Sequence, residues 1–311
     1  MSMPFNPVPE TPSPSQAIAP VLIPKKQSFY WCVKREFWEH RYLYIAPLAF
    51  AVLAQAGFLI SLIHLPVRMR AASALEPMKQ HEMIQRPYNF VALLFMATFI
   101  FVAFFYCLDA LYGERRDRSI LFWKSLPVSD LMTVLSKAVI PIFILPLLTF
   151  TITFVMQVIM LLLSSAVIAG SGQSVAMFWN HVPFVQMSVM LLYHLLAMHG
   201  LYYAPIYCWL LLVSCWARRA PFLWASLPLF AVGIVEKIAF NTSYFGLLLQ
   251  YRFMGGPDAI SFPAKATDPM QGMTILPLGR FLISPGLWIG LVVAAAFLAG
   301  AVRLRRYREP I

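Results

Sequence analysis

Chemistry needs nucleophiles, bases or metal ligands at workable spacing, and this chain offers few. His194 and His199 lie five residues apart in an apolar run and share a helix face poorly, which fits packing or cavity lining better than metal binding. Phosphate-cradling G-x-x-x-x-G-K-S/T, H-E-x-x-H and G-x-S-x-G patterns do not occur. Cys32, Cys107, Cys208 and Cys215 sit in or beside apolar stretches without ligand-like spacing, so free buried thiols are expected. Asp109 and Glu236 are the acidic residues well inside such stretches, where a carboxylate is a functional candidate by default. Asp109, however, lies one turn before Gly113 and can reach Arg115 or Arg116 at the interface, and Glu236 can snorkel to an interface beside Lys237. No catalytic or metal constellation is expected.

The remaining concentration of functional groups is the segment 113–137. It carries Glu114, Arg115, Arg116, Arg118, Lys124 and Lys137 around an apolar knob of Ile120, Leu121, Phe122 and Trp123. The spacing predicts a helix of about three turns over 114–125, stopped by Pro127 because the residue before proline disfavours helical geometry. Ser129 can cap the helix that follows. Aromatic anchors ringed by charge have the make-up of an interface hot spot; an interfacial helix whose aromatics face lipid headgroups is the alternative.

The elements that must position this segment are hydrophobic. Of 311 residues 60% are hydrophobic and 12% charged, about half the charge of a soluble domain. Apolar runs long enough to cross about 30 Å of hydrocarbon recur along the chain, whereas the alternating segments of a membrane β-barrel do not. An all-α membrane protein with six spans follows, at about 42–64, 89–112, 138–168, 184–215, 221–240 and 285–302. The third and fourth exceed the bilayer thickness; Pro141, Pro146 and Pro205 are natural kink points in them. The net charge of +11 belongs to topology rather than nucleic acid. With the N-terminus inside, 16 of the 24 Lys and Arg fall in cytoplasmic segments, which puts both termini and the 113–137 segment in the cytoplasm.

Residues 1–27 are proline-rich and polar, a composition that reads as a disordered tail. From Ser28 on, an interfacial helix over 28–41 is expected, with Tyr30, Val33, Phe37 and Tyr44 on one face, Trp31 and Trp38 flanking it, and Arg35, Glu36 and Glu39 toward water. A plain juxtamembrane extension of the first span is the alternative. Residues 65–88 read as a short outer helix; 241–284, broken by Gly255-Gly256-Pro257 and Pro263, as a re-entrant segment or a surface loop. Gly286, Gly290 and Ala294 recur every four positions on the last span and suit close helix packing within the chain or between copies.

This order of elements resembles the permease subunits of the second class of ATP-binding-cassette exporters over residues 28–311, most specifically in Tyr112-Gly-Glu-Arg-Arg, Lys-Ser-Leu-Pro-Val-Ser-Asp130 and Ser136-Lys137. The resemblance implies that the 113–130 segment is a coupling helix docking on a separate ATPase subunit. Glu114 then matches the acidic residue after span two, Ile120 and Leu121 the apolar pair, Pro127 and Ser129 the turn, and Lys137 the basic residue opening span three. Where many members carry Gly-Thr, this chain has Arg118-Ser119. Implied partners are two ABC ATPase subunits holding ATP and Mg, a second permease copy and membrane lipid, in a bacterial inner membrane. Implied too is a pathway between spans two and five of the two copies, for which Phe95, Phe99 and Tyr106 are candidates; such an aromatic path suits an amphipathic, lipid-like cargo. An integral-membrane enzyme or assembly factor working without ATP is the rival reading.

Overall fold

The structure, a computed structural model, describes residues 25–125, 128–254 and 278–307. All regular structure among them is helical: α1 (Lys25–Glu39), α2 (Tyr42–Leu62), α3 (Leu65–Ser73), α4 (Pro77–Asp109), α5 (Tyr112–Arg116), α6 (Ser119–Ser125), α7 (Asp130–Val139), α8 (Leu145–Gly170), α9 (Val175–His181), α10 (Phe184–Tyr193), α11 (Ala204–Trp216), α12 (Pro221–Phe240), α13 (Tyr244–Met254), α14 (Leu278–Ile283) and α15 (Pro285–Tyr307). Two π-helical turns, Ile140–Ile144 and His194–Tyr202, join α7 to α8 and α10 to α11.

Among the described residues six helices are long and apolar enough to cross a membrane, which marks a multi-pass membrane protein. Two far exceed a bilayer: Met78–Arg116 has 39 residues and Asp130–Gly170 has 41, each roughly 60 Å of helix. Span two therefore runs straight through the region expected to be an outer helix; only α3 remains separate there, and Pro77 at the first helical position starts α4 without losing a hydrogen bond. Of the tail expected over 1–27, residues 1–24 lie outside the described residues, and Lys25, Lys26 and Gln27 belong to α1. Ser129 caps α7 as expected, its Oγ accepting from the Met132 N–H at 3.2 Å.

The prolines of spans three and four do not snap their helices. Pro141 lies inside the first π turn, and Pro205 follows the second at the start of α11, so the missing N–H groups fall where α-type bonding is already interrupted. The two π turns pack on each other. Gly200 makes this contact close: a Cβ there would lie 2.4 Å from the Ile142 carbonyl oxygen, so only glycine fits.

Two main hydrophobic clusters result. One, around Phe99, Tyr106, Leu111, Val134, Leu145, Tyr207 and Leu211, fills the half carrying the charged segment. The other, around Phe58, Ile84, Tyr88, Phe95, Met160 and Phe178, fills the opposite half. Helix α15 lies along α11, while α12 packs sparsely, with Phe230, Val235 and Ile238 exposed.

Candidate functional site: a buried ion cluster under the charged segment

The segment 113–137 is anchored by charges that the helices bring together from four parts of the chain. Glu36 on α1 is fully buried, as are Lys137 on α7 and, within a few per cent, Glu114 on α5 and Arg305 on α15. The Lys137 ammonium donates to both Glu36 carboxylate oxygens at 2.9 and 3.0 Å and lies 3.1 Å from Glu114 Oε1. Arg35 Nη2 bridges the two glutamates, 2.6 Å from Glu36 Oε1 and 2.9 Å from Glu114 Oε1. Arg305 donates through Nη1 to the other Glu114 oxygen, and its Nε lies 3.2 Å from Asp130 Oδ1, close enough to pair though not aligned as a hydrogen bond. Tyr106 donates its hydroxyl to Glu36 Oε2 at 3.0 Å.

In the buried centre three acids (Glu36, Glu114, Asp130) thus face three bases (Arg35, Lys137, Arg305) and their charges balance, while the more exposed Glu39 adds a fourth carboxylate at the rim, 3.4 Å from Arg35 Nε. That balance is what allows burial, because an isolated buried ion costs several kcal/mol or more. Burial by itself would raise the Glu36 carboxyl, but Lys137 and Arg35 outweigh it and hold it below its ordinary range. Beside it, burial lowers the His40 imidazole more than Glu36 raises it. Both groups have depressed values in the fold, so each contributes stability that is present above the unfolded-state value and is lost as pH falls through the folded one.

Two more ties fix the end of α4. The Ser214 hydroxyl accepts from the Leu111 and Tyr112 N–H groups at 3.1 and 2.8 Å and donates to the Leu108 carbonyl at 2.8 Å. Arg115 Nη1 donates to the Cys215 and Ala217 carbonyls at 2.6 and 3.0 Å, closing the open C-terminus of α11.

Around this base the 114–125 segment departs from expectation. It is two short helices, not one, broken at Asp117-Arg118, where Arg118 takes a left-handed φ of 57°. The reason is geometric. In a continuous helix Glu114, Arg115 and Ile120 would point in three directions; the break turns all three inward, each at most 3% exposed. The apolar knob is divided as a consequence. Leu121 and Phe122 remain exposed at 58% and 60%, whereas Trp123, expected to face outward, turns in under Arg35, whose guanidinium carbon lies 3.9 Å from its ring centroid. Arg116 pairs with Asp117 at 3.0 Å and lies 3.9 Å from Asp109. Pro127 lies outside the described residues.

The expected amphipathicity of α1 is corrected as well. Tyr30, Trp31 and Trp38 are exposed, but the buried stripe is Cys32, Glu36 and His40, with Arg35 only partly exposed. Glu36 turns inward because Lys137 and Tyr106 wait there. The (i, i+4) spacing of Cys32, Glu36 and His40, continued by the fully buried Leu43, was the one signal available in the sequence. Sequence reasoning missed Arg35, Glu36, Asp130, Ser214 and Arg305 as site residues.

The candidate pathway residues are fully buried within the chain. Phe95 packs edge-on against Phe50, Phe99 against His199 and Tyr207, and Tyr106 belongs to the ion cluster. His194 and His199 turn Nδ1 toward the carbonyls of Met190 and His194 at 3.0 and 3.2 Å. Glu236 does not simply snorkel: it accepts from the Thr242 hydroxyl and from the Tyr244 and Phe245 N–H groups, capping α13. On the last span, Gly290 leaves room for the Arg252 guanidinium, 1.9 Å from where a Cβ would lie, while Arg252 Nη1 donates to the Gly286 carbonyl. Of 241–284, the residues 255–277 lie outside the described residues.

No family model matches the chain, and neither a curated protein nor a solved structure is similar enough to count as a match.

Proposed function

We propose that the chain is the membrane-spanning subunit of an ATP-driven exporter of the ATP-binding-cassette type, working as a pair, with the exposed face of α6 as the coupling surface for a separately encoded ATPase that holds ATP and Mg. One observation carries this reading: Glu114 and Lys137, at either end of the segment between spans two and three, meet in a single buried ion cluster with α1 and α15. A push on Leu121 and Phe122 is then delivered to the first helix and to spans two, three and six together. A surface loop with no mechanical duty has no need of such an anchor, because buried ion pairs fix geometry more than they add stability. The bias of basic residues supports the part of this reading in which the charged end and both termini face the cytoplasm, and a bacterial inner membrane goes with it. ATP binding in the partner moves the permease only as far as the partner's affinity differs between its two conformations.

Co-expression with candidate ATPases from the same source tests this. The expected result is a complex with one ATPase per permease, stable in mild detergent, whose ATP hydrolysis responds to the permease and loses that response in Leu121→Asp or Phe122→Ala. Failure to retain any ATPase, or indifference to both substitutions in correctly folded protein, overturns the proposal.

A further inference from the structure

A second feature lies on the outside of the same half. Between the start of α2 and the end of α4 a groove of about 430 Å³ opens sideways, lined by Tyr42, Ala46, Phe101, Val102, Phe105 and Asp109. Phe101 and Phe105 project 66% and 59% exposed, so its walls are bare hydrocarbon. At its rim stands one carboxylate. Asp109 is 39% exposed, and no hydrogen-bond donor reaches it among the described residues. Its nearest cation, Arg116, is 3.9 Å away and gives its Nε to Asp117 at 3.0 Å instead. Gly113 keeps the carboxylate accessible, since a Cβ there would press within 3.3 Å of Asp109 Oδ1.

Tyr42 opens its helix and Asp109 closes its own, so the rim lies where the apolar helices end, at headgroup depth. We propose that this groove is a binding site for phosphatidylethanolamine, one acyl chain lying along Phe101 and Phe105, its ammonium on Asp109 and its phosphate on Arg116. The charge pattern selects this lipid. A primary ammonium supplies the charge-assisted N–H donors that the carboxylate lacks. A choline headgroup has no N–H to give, and a glycerol headgroup has no cation. Adjacent Asp109 and Arg116, loosely paired with each other, match the two charges of a zwitterion in order. The site does not rest on the exporter reading: Arg116 belongs to the 113–130 segment, but no residue of the site lies on the exposed face of α6 or in the ion cluster.

The full chain, reconstituted in vesicles of equal phosphatidylethanolamine, phosphatidylcholine and phosphatidylglycerol, is extracted gently and its retained lipids counted by native mass spectrometry. Phosphatidylethanolamine should be retained about tenfold over each of the others, the size of one charge-assisted hydrogen bond. Asp109→Asn should abolish the preference, and Ala46→Phe, which fills the groove and leaves the carboxylate intact, should lower bound phosphatidylethanolamine as well. Equal retention of the three lipids by the unmodified chain overturns the proposal, as does a preference that survives both substitutions. So does a second copy of the chain found cross-linked through Phe105 with lipid excluded. Should Asp109→Asn fail to fold, Ala46→Phe decides the matter.

Discussion

The two ends of the molecule solve the same problem, polar groups at the margin of a hydrophobic bundle, in opposite ways. At the charged end Glu36, Glu114, Asp130, Arg35, Lys137 and Arg305 satisfy one another in a closed network whose directly paired partners lie up to 191 residues apart. Around α12 and α13 the partners are backbone groups and rings instead of opposite charges. Glu236 serves backbone groups eight and nine residues away, and Arg252 lies over the Tyr202 ring and gives Nη1 to the Gly286 carbonyl, without an acidic partner among the described residues. A network in which each charge serves several elements ties them together more tightly than single caps and ring contacts do. The difference teaches which half can act as a unit.

The largest effect that would test this contrast is at Lys137. Lys137→Met leaves the buried Glu36 and Glu114 carboxylates one cation short, with Arg35 alone between them, and should cost about 3–5 kcal/mol, read as a large fall in the midpoint of thermal unfolding in detergent. Adding Glu36→Gln should restore part of the loss, because the stranded charge is gone; a double variant no better than additive would show that the cluster is not a unit. At the other end Gly290→Val should expel the Arg252 guanidinium at a cost of roughly 1–3 kcal/mol. The expected sign is faster protease cleavage within Tyr244–Met254, with the charged end unchanged. Global unfolding in this variant would break the distinction. The smallest effect lies at Arg118, where a residue with a Cβ sits at a φ of 57°. Arg118→Gly relieves a strain of about 1 kcal/mol, so the unfolding midpoint should stay level or rise slightly; a clear fall would show that the guanidinium itself is needed.

Much of the architecture was legible in the sequence, and the boundary of legibility is physical. Apolar length alone indicated six helices able to cross a membrane, since crossing a bilayer is a constraint on consecutive residues; span four, expected over 184–215, is instead an apolar helical stretch over Phe178–Tyr202 followed by the shorter Ala204–Trp216. Ser129 as a cap was legible for the same reason: its partner, the Met132 amide, is three residues away. The burial of Glu36 was not, because Lys137 lies 101 residues away, and α1 looks amphipathic the other way round until that partner is supplied. The break at Arg118 was hidden because it answers a demand from outside the segment, the turning of Glu114, Arg115 and Ile120 to one side. The spacing of Gly286 and Gly290 announced a close approach, and the visitor at Gly290 proved to be an arginine side chain of α13 instead of the backbone of a packed helix.

The π turn at Ile140–Ile144 has a consequence for how this chain tolerates change in length. Such a turn holds one residue more than an α-helix needs, so it works as a phase shifter: everything before it is rotated by about 100° relative to a straight continuation. Removing a single residue there would restore an ordinary helix, keep every remaining side chain's chemistry, and yet swing Lys137 off Glu36 and Glu114. The spare residue is thus what keeps the lower half of span three in register with the acids it serves.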